Sequence, residues 1–102
     1  LDKQEIIILN LQRAVQICVD IGNHILLDFK TPTPVTMSET FKYLAENKII
    51  SNDNAKQLAN AVGFRNIAVH QYENINCNIV YSIYTSHLDD FKVFAESIFK
   101  LI

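Results

Sequence analysis

Residues 8–29, ILNLQRAVQICVDIGNHILLDF, decide the fold. Ile8, Leu11, Val15, Cys18, Val19, Ile25, Leu26 and Phe29 recur close to the three- and four-residue steps that gather apolar side chains on one face of an α-helix. Just upstream, Asp2 and Glu5 stand at capping-box spacing. Together they predict one long amphipathic helix over about 3–29. Such a helix must cover its apolar face with further helices or strands, and the rest of the chain offers helices.

Downstream, KTPTPVT at 30–36 holds both prolines and is a loop, because proline lacks the amide donor and restricts the residue before it. Thr36 and Glu39 then repeat the capping-box spacing and open a short helix through Phe41, Leu44 and Ala45 that ends near Asn47. Ser51, with Asp53 in the first turn, starts a third helix with apolar positions Ala55, Leu58, Ala59 and Val62. Gly63 can end that helix or lie inside it. Glycine costs about 1 kcal/mol against alanine in a helix interior but lets another backbone approach closely, and the reading taken continues the helix to about Tyr72. ENINCN at 73–78 is a connection, and a last helix over about 76–101 carries Ile79, Ile83, Leu88, Phe91, Phe94, Ala95 and Ile98. Short connections between amphipathic helices imply an all-α, antiparallel up-down bundle.

Composition agrees with that class. At 102 residues the chain is expected to be one domain over 1–102, near the size where a second copy adds useful stability. With 49% hydrophobic residues, two glycines and two prolines, it has too much apolar content and too few breakers for a disordered or loop-rich chain. Apolar runs such as IIIL at 6–9 are short, far from the roughly 20 residues of a membrane span. The formal net charge of −2 supplies no global attraction for a polyanion, so any nucleic-acid site must be local. Cys18 and Cys77 lie in apolar helical patterns without metal-site spacing and read as buried free thiols in a reducing cytoplasm. The acidic start, Asp2 and Glu5, is unlike a secretory signal. The missing initiator methionine leads us to expect a further N-terminal piece outside this sequence.

Chemistry concentrates in GFRNIAVHQY, residues 63–72. On an ideal helix, at about 100° per residue, Phe64, Ile67 and Ala68 share the core side. Arg65 and Tyr72 form one stripe away from it, and Asn66 and His70 form the neighbouring stripe. Such a patch suits a phosphodiester. A guanidinium fork holds two phosphate oxygens and stabilises charge developing at phosphorus. An imidazole exchanges protons near neutrality, with a ribose 2′-hydroxyl or with the leaving oxygen. Asn66 can orient the histidine or bind phosphate or base, and Tyr72 can stack on a base or donate from its hydroxyl. No metal ligand set is present in the spacing, and no metal or other cofactor is expected. Taken as isolated residue types, these four are common on exposed helix faces and do not make a site. One patch also has only one imidazole, so two copies packed about a two-fold axis would be needed to line a cleft with two.

The spacing Arg65, four residues, His70, one residue, Tyr72 resembles the signature of the HEPN superfamily, specifically the HepT-like toxins of the MNT–HepT toxin–antitoxin class. The likeness extends to ILNLQRAVQICVDIGNHI, FKYLAENKII and YENINCNIVYSIYTSHLDDFKVF, and so covers nearly the whole chain. An R-x-x-x-x-H core alone is weak; with Asn66 after the arginine, HxY at the end and matching flanks it is specific. The resemblance implies a homodimeric all-α bundle in which Arg65 and His70 of both protomers line a cleft. It implies a metal-independent endoribonuclease that leaves a cyclic phosphate, paired with a minimal nucleotidyltransferase antitoxin able to transfer AMP to Tyr72. That modification would place bulk and negative charge beside the arginine. The family also carries a helix before the segment that begins at Leu1, which this sequence does not contain.

Other polar residues carry less. His24 and His87 read as surface or partly buried structural residues, and Asp89 and Asp90 as a solvated face. Asp20 could orient His70 or Arg65, against the simpler reading of a solvated carboxylate. Tyr81 and Tyr84 read as packing residues. Two rival readings stand beside the nuclease. One is a non-catalytic module that binds nucleotide or serves as accessory subunit of a minimal nucleotidyltransferase. The other is a helical dimer whose polar face only supplies interface contacts.

Overall fold

A computed structural model describes residues 3–71 and 77–102, apart from the side chains at 4, 65, 67–71, 77–81, 83 and 84. Its elements are four helices: α1 (Lys3–Leu26), α2 (Met37–Glu46), α3 (Asn52–Gln71) and α4 (Cys77–Leu101). The first helix ends three residues earlier than expected. Leu27, Asp28 and Phe29 donate to the carbonyls of His24, Ile25 and Leu26 at 3.3, 3.1 and 3.0 Å, so the chain tightens to i→i−3 bonding before the proline loop. The proposed Asp2 cap lies outside the described residues.

The short second helix forms because both its ends are closed locally. Glu39 N donates to Thr36 Oγ1 at 3.2 Å while Glu39 Oε1 accepts from the amides of Thr36 at 3.1 Å and Val35 at 2.9 Å, a complete capping box. At the other end Lys48 N bonds Ala45 O at 3.0 Å and Ile49 N bonds Leu44 O at 2.9 Å, the paired bonds of a Schellman motif. That motif needs a left-handed residue after the cap, and Lys48 takes it with φ 60°. The third helix starts as the sequence predicts, with Ser51 Oγ accepting from Asn54 N at 3.0 Å. It runs through Gly63 without a break.

One core cluster joins all four helices: Leu11, Val15, Cys18, Val19 and Leu26 of α1, Phe41 and Leu44 of α2, Ala55, Leu58, Ala61 and Val62 of α3, and Phe94 of α4. Phe41 and Phe94 meet edge to face, their centroids 6.1 Å apart at 86°. Close approach between helices happens at Gly22 rather than Gly63. A Cβ on Gly22 would lie 2.7 Å from Thr40 Cγ2 and 2.9 Å from Leu44 Cδ1, whereas one on Gly63 would meet nothing within 4 Å. Beside Gly22, buried Thr40 donates to Asn23 Oδ1 at 2.7 Å, satisfying its hydroxyl across the α1–α2 contact.

Two sequence expectations for α4 are corrected. Leu88 is 47% exposed and Ala95 is exposed, because the inward positions of their turns belong to His87 and Phe94, seven residues apart on one stripe. Asp90 is not a free solvated carboxylate: its Oδ2 lies 2.8 Å from His87 Nδ1, and its backbone carbonyl accepts from Asn54 Nδ2 at 3.0 Å. Ile79, Ile83, Tyr81, Tyr84 and Cys77 have side chains outside the described set. Among the described residues, no helix is long and apolar enough to cross a membrane.

Candidate functional site on the third helix

The signature lies on the last two turns of α3. Arg65, Asn66 and His70 all fall within the helix that ends at Gln71, so a single rigid element spaces them. His70 follows Arg65 by five positions, about 7.5 Å of helical rise at ~1.5 Å per residue. The side chains of Arg65 and His70 lie outside the described set, and so does Tyr72 altogether. The described neighbours define the ground on which the site stands. Phe64 is half-buried and packs with Ile7 and Ile8 near the start of α1, as well as against the main core. Asn66, next after Arg65, is exposed, as is Gly63. The helix thus has one side tied to α1 at Phe64 and is exposed at Gly63 and Asn66. Ile67 and Ala68, assigned to the core side by spacing, are not described.

This segment is helical although its sequence is mixed. Val62 and Phe64 bury enough apolar surface to hold the turn that contains Gly63, and the cap at Ser51 starts the helix in register. Charge around it is sparse. Asp20, the one acid considered as a partner for the arginine or histidine, is exposed on α1 and accepts from Gln16 Nε2 at 2.9 Å. His24 is exposed in the last turn of α1.

His87 is buried, bonded to Asp90, and belongs to a polar tie between α4 and the start of α3. That tie sits about eleven residues before Arg65 along α3, or ~16 Å of helix, and is distinct from the signature. The sequence reading missed it, although the seven-residue step from His87 to Phe94 was a usable sign that His87 points inward. Asn54 Oδ1, in the same tie, is buried without a hydrogen-bond partner.

Cys18 is a free, buried thiol pushed up to about 11 by burial, which removes it from nucleophilic chemistry near neutrality. Among the described residues, no group of three or more His, Cys, Asp or Glu side chains is placed to hold a metal ion.

Comparison with known proteins agrees with the fold and the spacing together. A family model described as ribonuclease HepT-like matches residues 1–98. An mRNA nuclease HepT from Shewanella oneidensis is 40% identical over 95 residues, covering 93% of this chain and 71% of that protein. A tRNA nuclease HepT from Aphanizomenon flos-aquae is 33% identical over 88 residues, covering 86% of this chain and 60% of that protein. A solved structure of a tri-AMPylated Shewanella oneidensis HEPN toxin in complex with MNT antitoxin superimposes with a TM-score of 0.80 at 41% identity, covering 89% of this chain and 68% of that one. A match that spans all four helices and includes the positions of Arg65, Asn66, His70 and Tyr72 leaves one assignment: this chain belongs to the HepT-like ribonuclease family.

Proposed function

We propose that the chain is the ribonuclease subunit of a toxin–antitoxin pair, cleaving RNA with Arg65 and His70 of two protomers. The observation that carries this reading is the R-N-x-x-x-H-x-Y sequence, whose Arg65, Asn66 and His70 fall on α3, together with a family match over residues 1–98 whose relatives are named nucleases. In the proposed reaction a ribose 2′-hydroxyl attacks the adjacent phosphorus. One imidazole takes the hydroxyl proton, the P–O5′ bond breaks, and the 5′ oxygen receives a proton from the second imidazole. The products are a 2′,3′-cyclic phosphate and a 5′-hydroxyl. Arg65 holds the non-bridging oxygens and offsets the charge they gain in the transition state. Asn66 positions the phosphate or the imidazole, and Tyr72 contacts substrate. The attack uses the substrate's own hydroxyl, so the scheme calls for no metal and no other cofactor. The protein acts in the cytoplasm, where its RNA substrate and its partner are made.

The partner in this proposal is a cognate nucleotidyltransferase of the MNT type. It silences the enzyme by transferring AMP to the phenol oxygen of Tyr72, two residues beyond His70. A nucleotide there puts a negative phosphate next to the arginine and fills the space an RNA strand requires. A relative of this chain has been seen tri-AMPylated and bound to MNT antitoxin, which supports the reading.

A second reading is a non-catalytic subunit that binds nucleotide or assists the nucleotidyltransferase. The same residues on α3 would serve either role, and the chain spans 71% and 60% of the two nucleases it matches. Incubating the purified chain with RNA, in the presence of a chelator, separates the two. The nuclease reading expects cleavage with cyclic phosphate ends, lost by a factor of 10² or more in His70→Ala with helix content unchanged. Nucleotide or partner binding with no cleavage by the unmodified chain supports the accessory reading instead.

A further inference from the structure

The apolar stripe of α1 continues past the end of the main core. Leu11 and Val15 belong to the core shared by all four helices, but Ile8, one turn earlier and only 6% exposed, belongs to a second, smaller cluster near the start of α1. Its partners there are Ile7 and Phe64. Phe64 also packs against the main core, so this one ring joins the two clusters. On α3 the change of partner comes at a definite place. Leu58, Ala61 and Val62 are buried in the main core, and Phe64, the next apolar side chain, reaches Ile8 from the position just before Arg65.

Helical register makes that position consequential. At about 100° per residue, position 66 lies ~200° round the helix from Phe64. Asn66 is exposed and Phe64 half-buried, so the contact with Ile8 holds α3 from behind its open face. Positions 65 and 70 fall about 100° and 120° to either side of Phe64, and a single contact behind the helix therefore sets the rotation of both. Side chains reach roughly 5–6 Å from a helix axis, so turning the end of α3 by about 20° would carry each by about 2 Å. A misplacement of about 1 Å can cost about 10²-fold in rate.

We propose that Phe64, seated on Ile8, is a positioning residue for RNA cleavage: it holds the end of α3 at the rotation from which Arg65 and His70 meet the scissile phosphate. Its chemical consequence rests on the nuclease reading given above; its mechanics rest on the second apolar cluster alone. Ile8, on another helix, acts through Phe64 and not on the substrate.

Single-turnover cleavage of RNA by the purified chain, with helix content and thermal unfolding followed alongside, tests this. Phe64→Ala and Ile8→Ala should each slow cleavage by about tenfold or more. Affinity for a 2′-deoxy oligonucleotide, which lacks the attacking hydroxyl and stays intact, should change by less than about threefold. The double variant should be no slower than the slower single one, since both break the same contact. Phe64→Leu, which keeps an apolar contact with Ile8, should retain most of the rate. Val15→Ala is the control: it opens the main core on α1 and lowers the melting temperature by a comparable amount, yet should leave the rate within about threefold. Slowing by Val15→Ala as great as that by Phe64→Ala overturns the proposal, because lost stability then explains both. So does an unchanged rate in Phe64→Ala, a loss carried by affinity instead of rate, or single-variant losses that multiply in the double variant. A chain that cuts no RNA sinks the nuclease reading, and the mechanics are then read by amide hydrogen exchange. Exchange at 65–71 should quicken about tenfold in Phe64→Ala and in Ile8→Ala, with 54–62 unchanged. Exchange at 65–71 equal to wild type in both variants overturns the positioning role itself.

Discussion

At the scale of single residues, the two glycines show how different the reasons for the same residue can be. Gly22 is required by contact: any Cβ there runs into Thr40 and Leu44, both on the buried side of α2. Gly22→Ala should cost about 1–3 kcal/mol in a denaturant titration, because the helices must move apart or the two side chains leave their rotamers. Gly63 has no such reason within the chain. It lies exposed in a helix interior with open space around it. Gly63→Ala should therefore stabilise the fold by about 1 kcal/mol, through higher helix propensity and a less flexible unfolded chain. If the same substitution leaves stability raised but weakens RNA cleavage, the glycine serves an approach from outside the protomer, two residues before Arg65. The residue scale also explains why His87, read as a surface or partly buried structural residue, is buried outright. A histidine at an apolar heptad position is easily read as surface, yet here Asp90, one turn on, satisfies Nδ1 and makes burial tolerable.

Among the elements, α2 is the one whose stability is most local. With ten residues it is too short to persist on propensity alone, and it relies on its capping box and its Schellman turn. Amide donors from Val35 and Thr36 hold the Glu39 carboxyl below its ordinary value. A carboxyl depressed in the folded state adds stability above its unfolded pKa, and that contribution is lost as pH falls through the folded one. Thermal unfolding of wild type and Glu39→Gln should consequently differ most near neutrality and converge in acid below the ordinary carboxylate range. Thr36→Ala, which removes the reciprocal half of the box, should cost about 1 kcal/mol at every pH. Equal melting curves for wild type and Glu39→Gln at neutral pH would contradict this account.

On the scale of the whole molecule, the four helices are held by one continuous core, and α4 enters it chiefly through Phe94 among the described residues. Phe94 is 2% exposed and meets Phe41 edge to face, which ties the last helix to the second. Truncating it leaves a large cavity, so Phe94→Ala should cost roughly 3–5 kcal/mol and lower the single unfolding transition as a whole rather than loosen one helix. A biphasic melt in that variant would mean that α4 is a separate unit. The same architecture places the signature at the end of α3, supported by Phe64 against the start of α1.

Much of this was legible in the sequence because it is local. Helical periodicity, the Thr36–Glu39 box, the Ser51 cap and the proline loop depend on residues within a few positions of one another, and all appear where spacing predicted them. The signature was legible for the same reason: Arg65, Asn66 and His70 belong to a single helix. Tertiary structure decided what depends on neighbours distant in the chain. It placed the close helix contact at Gly22 and left Gly63 open, turned His87 inward and Leu88 outward, and drew Asp90 into a tie with Asn54. Periodicity finds a helix's apolar stripe to within about a residue, but which side chain on its edge is buried is set by the shape and hydrogen-bonding groups of the helix that packs against it.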